Sequence, residues 1–146
     1  MRVKNGVLMV EKKIKGRKRH IVVDTMGCLL AVDVHAANIH DTKGGMEVAN
    51  LAYDKYPTIE KFSGDEGYCG TFEKFVGWNF DDVGIDISKR IKPVFEILPK
   101  RWIVERTFAW FGNSRRLSKD YEISTDSAVN MAYISNLHTL LKRFKG

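Results

Sequence analysis

Apolar residues fall into short, dense runs early in the chain and into helical spacing late in it. Residues 20–24 (HIVVD) are rich in β-branched side chains and read as a strand. Thr25-Met26-Gly27 reads as a turn, and residues 28–36 (CLLAVDVHA) as a second, largely buried strand, so that the two form a hairpin. Residues 7–10 are a short apolar run that fits either element type. Residues 41–53 predict a helix, with Asp41 as its cap and Met46, Val48, Ala49 and Ala52 as its apolar stripe; Gly44 and Gly45 weaken its start. A short strand over residues 58–64 leads to Asp65, followed by the two-glycine turn DEGYCG. A helix over residues 71–78, a strand over 83–87 and an extended segment over 94–98 come next. The helix that begins near Arg101 follows. Residues 124–145 form the clearest amphipathic helix. Ala128, Met131, Ile134, Leu137, Leu141 and Phe144 recur at the spacing of a buried face, while Asp126 and Lys142, Arg143 and Lys145 suit the helix dipole. Strands first and helices interspersed predict an α/β domain, a mixed sheet covered by helices.

A chain of 146 residues is one domain by size. Neither an internal boundary nor a repeat is evident, so residues 1–146 read as a single unit. Against 18 Asp and Glu stand 24 Lys and Arg, and the net charge of +6 favours a polyanionic partner. Cys28 and Cys69 lack the spacing of a disulfide framework or a zinc site and fit a reducing cytosol. No apolar run approaches the ~18 residues of a membrane span, and no signal peptide is expected.

Residues 12–20 (KKIKGRKRH) are the densest basic cluster. Like charges at this density suit either a solvated loop or strand edge, or phosphate contact by Lys12, Lys13, Lys15, Arg17, Lys18 and Arg19. The second candidate surface is residues 98–120 (LPKRWIVERTFAWFGNSRRLSKD), where Arg101, Arg106, Arg115 and Arg116 interleave with Trp102, Phe108, Trp110 and Phe111. Within it, Trp102, Phe108 and Phe111 are expected in the core rather than as stacking platforms. Asp65, where a strand yields to a glycine turn, and Glu105, on a helix, are two hard oxygen donors on separate elements. Such donors suit Mg²⁺, which keeps several waters and takes few protein carboxylates. The bland alternatives are a turn aspartate and a helix-surface ion pair with Arg101 or Arg106. His20, His35, His40 and His138 are scattered; His35, His40 and Asp41 resemble a metal cluster, but a loop cap is the better expectation.

Taken together, KIKGRKRHIVVDTMGCLLAVDVHAANIHD, GDEGYCG and LPKRWIVERTFAWFGNSRRLSKDYE resemble the catalytic domain of bacterial DDE-type insertion-sequence transposases, with the insertion-sequence-five group the nearest in pattern. The resemblance runs from Lys12 to the C-terminus. It implies a ribonuclease-H-like fold and three metal-binding carboxylates. The second would be Asp65 and the third Glu105, with Arg101 four residues before it and Arg115 as the basic residue after it. It implies Mg²⁺ (or Mn²⁺) as cofactor, cleavage of DNA at element ends, strand transfer into target DNA, homo-oligomers on DNA and a bacterial cytoplasmic, nucleoid-associated setting. In such enzymes the first aspartate lies on the first strand, before a phrase like Arg2-Val3-Lys4. The expectation is therefore an N-terminally incomplete domain that lacks the first ligand and most of its central strand. Asp24 and Asp33 are poor substitutes. Alternatives are an inactive DNA-binding remnant and a nuclease of the same fold.

Overall fold

The computed structural model describes residues 6–14, 16–88, 101–119 and 121–145, except the side chains of Val10, Ile14 and Arg101. Five strands, β1 (Val7–Ile14), β2 (Arg17–Val23), β3 (Leu29–Ala36), β4 (Lys61–Asp65) and β5 (Gly84–Ser88), form one sheet in the order β3-β2-β1-β4-β5. The first three are antiparallel; β4 and β5 add in parallel. The helices are α1 (Asp41–Lys55), α2 (Thr71–Asn79), α3 (Arg101–Gly112) and α4 (Thr125–Phe144). This is the mixed sheet flanked by helices that the residue pattern predicts.

One part of that expectation is corrected. The central position of the sheet is filled: β1 lies between β2 and β4. Residues 7–10 are its first half, and its second half comes from the basic cluster, which is a strand pair and not a loop. Leu8 faces Val23 and Ile14 faces Arg17 across the ladder, with the turn between Ile14 and Arg17 joining them. Apolar residues at the start of β1 carry enough β-propensity and burial to hold its charged end in register. The segment over residues 94–98 lies outside the described residues.

Strand alternation divides the core in two. Val7, Met9, Val22 and Phe62 pack with α1 and α2 through Val48, Ala49, Ala52, Phe72 and Val76. Leu8, Ile21, Val23 and Val32 pack on the opposite face with α3 and α4 through Ile103, Val104, Phe108, Phe111, Ala128 and Ala132. The helix α4 departs from its expected face. Ala128, Ala132 and Ser135 are its buried residues, whereas Ile134, Leu137, Leu141 and Phe144 are exposed. Small residues let the helix lie close to β3, and the bulky stripe turns outward.

Gly44 and Gly45, which argue against a helix by propensity, are required by packing. A Cβ at Gly44 would overlap His35 Nε2 and come within 2.5 Å of His20 Nε2; one at Gly45 would sit 2.6 Å from Tyr68 Cε1. The cap of α1 is His40, not Asp41: its ring accepts from the Thr42 N–H. The loop-cap reading of that histidine therefore holds.

Candidate active site

Asp65 is the last residue of β4 and is exposed. Its Oδ1 accepts from the Gly67 N–H at 3.1 Å, opening a short 3-10 turn over Glu66–Tyr68. That turn is anchored from below. Tyr68 is buried beneath α1 and shares a hydrogen bond of 2.9 Å with His20 Nδ1. Its phenol is held well above its ordinary pKa, first by burial and then by Asp65, Glu11 and Asp41, so the hydroxyl stays protonated.

The parallel register pairs Val7 with Phe62 and Leu8 with Ser63. Continued two residues, it sets Val10 beside Asp65. Phe62 points into the α1 core, so alternation assigns Ser63 and Asp65 to the face that α3 covers. On α3, Ile103, Val104, Thr107, Phe108 and Phe111 are buried and Glu105 is exposed. Both carboxylates thus belong to the same side of the sheet. The side chain of Arg101 lies outside the described residues.

The carboxylate that sequence reasoning missed is Glu11. It sits on β1 opposite His20, and alternation directs it to the α1 face, away from the α3 side. Burial first, then Asp41 and Asp65, hold its carboxyl above its ordinary pKa. Its signal was an acid in an otherwise basic strand. On the α3 side, β1 offers Leu8 and Lys12, the latter with its ammonium 5.6 Å from the Phe108 ring centroid. Among the described residues, no three of His, Cys, Asp and Glu are placed to hold a metal ion. Asp65 and Glu105 nevertheless fit Mg²⁺ chemically, as hard oxygen donors that leave positions for water and substrate.

Asp24 and Asp33 stay out of this site. Asp24 is buried, and its Oδ1 accepts from the Met26 and Cys28 N–H groups at 2.9 and 2.8 Å, closing the β2–β3 turn. Asp24→Ala is expected to cost about 1–3 kcal/mol, measured by urea denaturation, because it leaves these donors without their acceptor. Asp33 is half-buried opposite His20, its carboxyl raised chiefly by desolvation.

Alternation also sorts the basic cluster. Arg17 donates to the Glu122 and Ile123 carbonyls, tying β2 to the segment before α4. Lys18, on the other face, pairs with Asp41 and donates to the Ile39 carbonyl. Arg19 is only 4% exposed, its guanidinium 5.9 Å from the Phe111 ring centroid. All three side chains thus make intramolecular contacts in this structure. Lys12 and Lys13 are exposed, and Lys15 lies outside the described residues. Arg106 stacks between Trp102 and Trp110, 4.7 Å from each ring, and donates to the Met26 carbonyl. Arg115 is exposed, and Arg116 pairs with Glu122 at 2.8 Å. Phe108 and Phe111 are core as expected; Trp102 is exposed.

Residues 10–80 match the family model for the Transposase DDE domain. A Burkholderia cepacia protein assigned as the transposase for insertion sequence element IS402 is 31% identical over 139 residues, which is 86% of this chain and 63% of that protein. The chain therefore spans just under two thirds of that relative's length. Among solved structures, the catalytic core domain of BIV integrase superposes with a TM-score of 0.62 at 15% identity, covering 90% of this chain and 82% of that one. A cryo-EM structure of the simian T-cell lymphotropic virus intasome in complex with PP2A regulatory subunit B56 gamma gives 0.60 at 15% identity, covering 89% of this chain and 47% of that one. These likenesses establish the ribonuclease-H-like fold, with its central β1 and parallel β4 and β5. With the family match over residues 10–80 and the IS402 relative on the same fold, the chain is similar to the DDE-type insertion-sequence transposases, and these likenesses support that family.

Proposed function

We propose that this chain is the catalytic region of a DNA transposase, in which Asp65 and Glu105 hold Mg²⁺ for cleavage at element ends and strand transfer into target DNA. The observation that carries the reading is the common side of their two elements: Asp65 ends β4 beside the central strand, and Glu105 is exposed on the helix that packs over that face. Bound there, Mg²⁺ would neutralise charge on the scissile phosphate and favour the ionised form of an attacking hydroxyl. The protein's own part is positioning. The bond from Gly67 fixes one Asp65 oxygen, and Tyr68, bonded to His20, fixes the turn. Exposed Lys12, with Arg101, would face the DNA backbone. Assembly as a homo-oligomer on paired DNA ends and a place in the bacterial cytoplasm, at the nucleoid, belong to the same proposal. Among the described residues, no helix is long and apolar enough to cross a membrane.

The test is an assay of the purified chain on labelled duplexes carrying the element's terminal sequence, with Mg²⁺ or Mn²⁺. Joined products are expected, falling about 10³-fold in Asp65→Asn and Glu105→Gln. Only nicked or degraded DNA would instead indicate a nuclease. A second reading, a DNA-binding remnant, is favoured by the absence of a three-acid cluster among the described residues. Salt-sensitive binding without metal-dependent turnover would establish it and overturn the first.

A further inference from the structure

The cleft between α3 and α4 has neither Asp65 nor Glu105 in its lining. It is open, about 700 Å³, and lined by Arg106, Trp110, Arg115, His138, Lys142 and Arg143 together with Asn, Ser and Thr side chains. No carboxylate lines it, and among the described residues none pairs with those four cations. Concentrating like charge in a concave surface is unfavourable unless an anion offsets it. Two of the cations are also held in place. The Arg106 guanidinium is clamped between Trp102 and Trp110, and Arg143 lies 5.2 Å from the Trp110 ring. The helical register separates the two sites: Glu105 and Arg106 are adjacent in sequence and leave α3 about 100° apart.

We propose that this cleft is a second nucleic-acid contact, gripping the sugar–phosphate backbone of duplex DNA away from the reacting bond; it rests on DNA being the partner, as proposed above. Ser135 to Lys142 on α4 spans about 10 Å at 1.5 Å per residue. A duplex rises about 3.4 Å along its axis per base pair, so a cleft of that length spans about three base pairs and suits more than one phosphate. Serine, threonine and asparagine hydroxyls and amides between the cations suit phosphate oxygens.

Lys142 and Arg143 are exposed near the end of α4, so their substitution should leave the fold intact. Binding of a 30-base-pair duplex without divalent metal is measured from about 50 to 300 mM salt in Lys142→Gln/Arg143→Gln. The dependence of log affinity on log salt is expected to lose about two units of slope, at about 0.9 per phosphate contact. Lys43→Gln/Lys74→Gln, on the helices of the opposite face, serves as the control and should keep the slope. An unchanged slope in the cleft variant, or an equal loss in the control, overturns the proposal. So does displacement of the duplex by inorganic phosphate at equal phosphorus concentration, which would mark a single-anion site. Thermal melts by circular dichroism verify folding of each variant. Strand transfer with no slope change leaves the transposase reading standing without the cleft; a slope change without any turnover does the reverse.

Discussion

Gly44→Ala is expected to destabilise the protein by about 3 kcal/mol or more, although the substitution improves helix propensity. In an open helix the same exchange stabilises by about 1 kcal/mol, because alanine loses less backbone entropy. Here the added methyl would overlap His35 Nε2 and meet His20 Nε2 at 2.5 Å and Cδ2 at 2.7 Å. Those rings cannot retreat easily: they stack 4.8 Å apart, His20 is fully buried, and His20 Nδ1 is bonded to Tyr68. Steric overlap therefore outweighs propensity. Gly77 in α2 supplies the contrast, since a Cβ there meets nothing within 4 Å. Urea denaturation should show Gly77→Ala neutral or stabilising and Gly44→Ala strongly destabilising. Adding His35→Ala to Gly44→Ala should recover part of the loss, a coupling of about 1 kcal/mol or more. Equal effects of the two glycine variants would refute the packing account.

Acidification is expected to remove a further increment of similar size. Burial, and then the neighbouring His35, lower the pKa of His20 to about 4 from an ordinary 6.5. Lys18 acts in the same direction and Asp41 opposes it. The ring is neutral in the folded protein, with Nδ1 bonded to Tyr68 and Nε2 without a partner among the described residues. A second ring proton would have to be buried unpaired. The unfolded chain has no such restriction and takes up a proton below pH 6.5. The contribution of His20 is thus fully present above about pH 6.5 and is lost as the pH falls towards 4. At about 1.4 kcal/mol per pH unit, that window is worth roughly 3 kcal/mol. Glu11 and Asp33, which flank His20 on the adjacent strands, have raised carboxyl pKa values and offset part of the loss. The measurement is unfolding free energy at several pH values in wild type and His20→Asn. The variant should have a flatter profile between pH 4 and 6.5; parallel profiles would assign the acid sensitivity elsewhere.

Much of this fold is legible in the sequence where burial and periodicity agree. The β2–β3 hairpin, α1, α2 and the approach of β4 to Asp65 all follow from runs of β-branched or helically spaced residues. The central strand does not, because its second half is Glu11, Lys12 and Lys13, whose composition resembles a solvated loop. Only pairing with β2 reveals a strand in which each charge has a side. Alternation then sends Lys18 to Asp41 and Arg19 beneath Phe111, a distinction that charge counting cannot make. The α4 face is misread for a related reason. Its large residues announce a buried stripe, while the contact with β3 selects Ala128, Ala132 and Ser135 for their small size. The candidate site is legible through Asp65 and Glu105, since each sits at a recognisable element boundary or helix. Tyr68 and His20 are not, because 48 residues separate them and only the fold brings them together.

The sheet order also bears on how the chain folds. β1, β2 and β3 follow one another through short turns, so their ladder forms between sequence neighbours at little loop-closure cost. β4 reaches β1 only after the whole of α1 has been made, and the two meet through a short parallel register, Val7 with Phe62 and Leu8 with Ser63. The strand that ends at Asp65 is thus tied to the β1–β2–β3 ladder through the shortest register in the sheet among the described residues, so the position of Asp65 depends on far fewer strand pairs than the hairpins do.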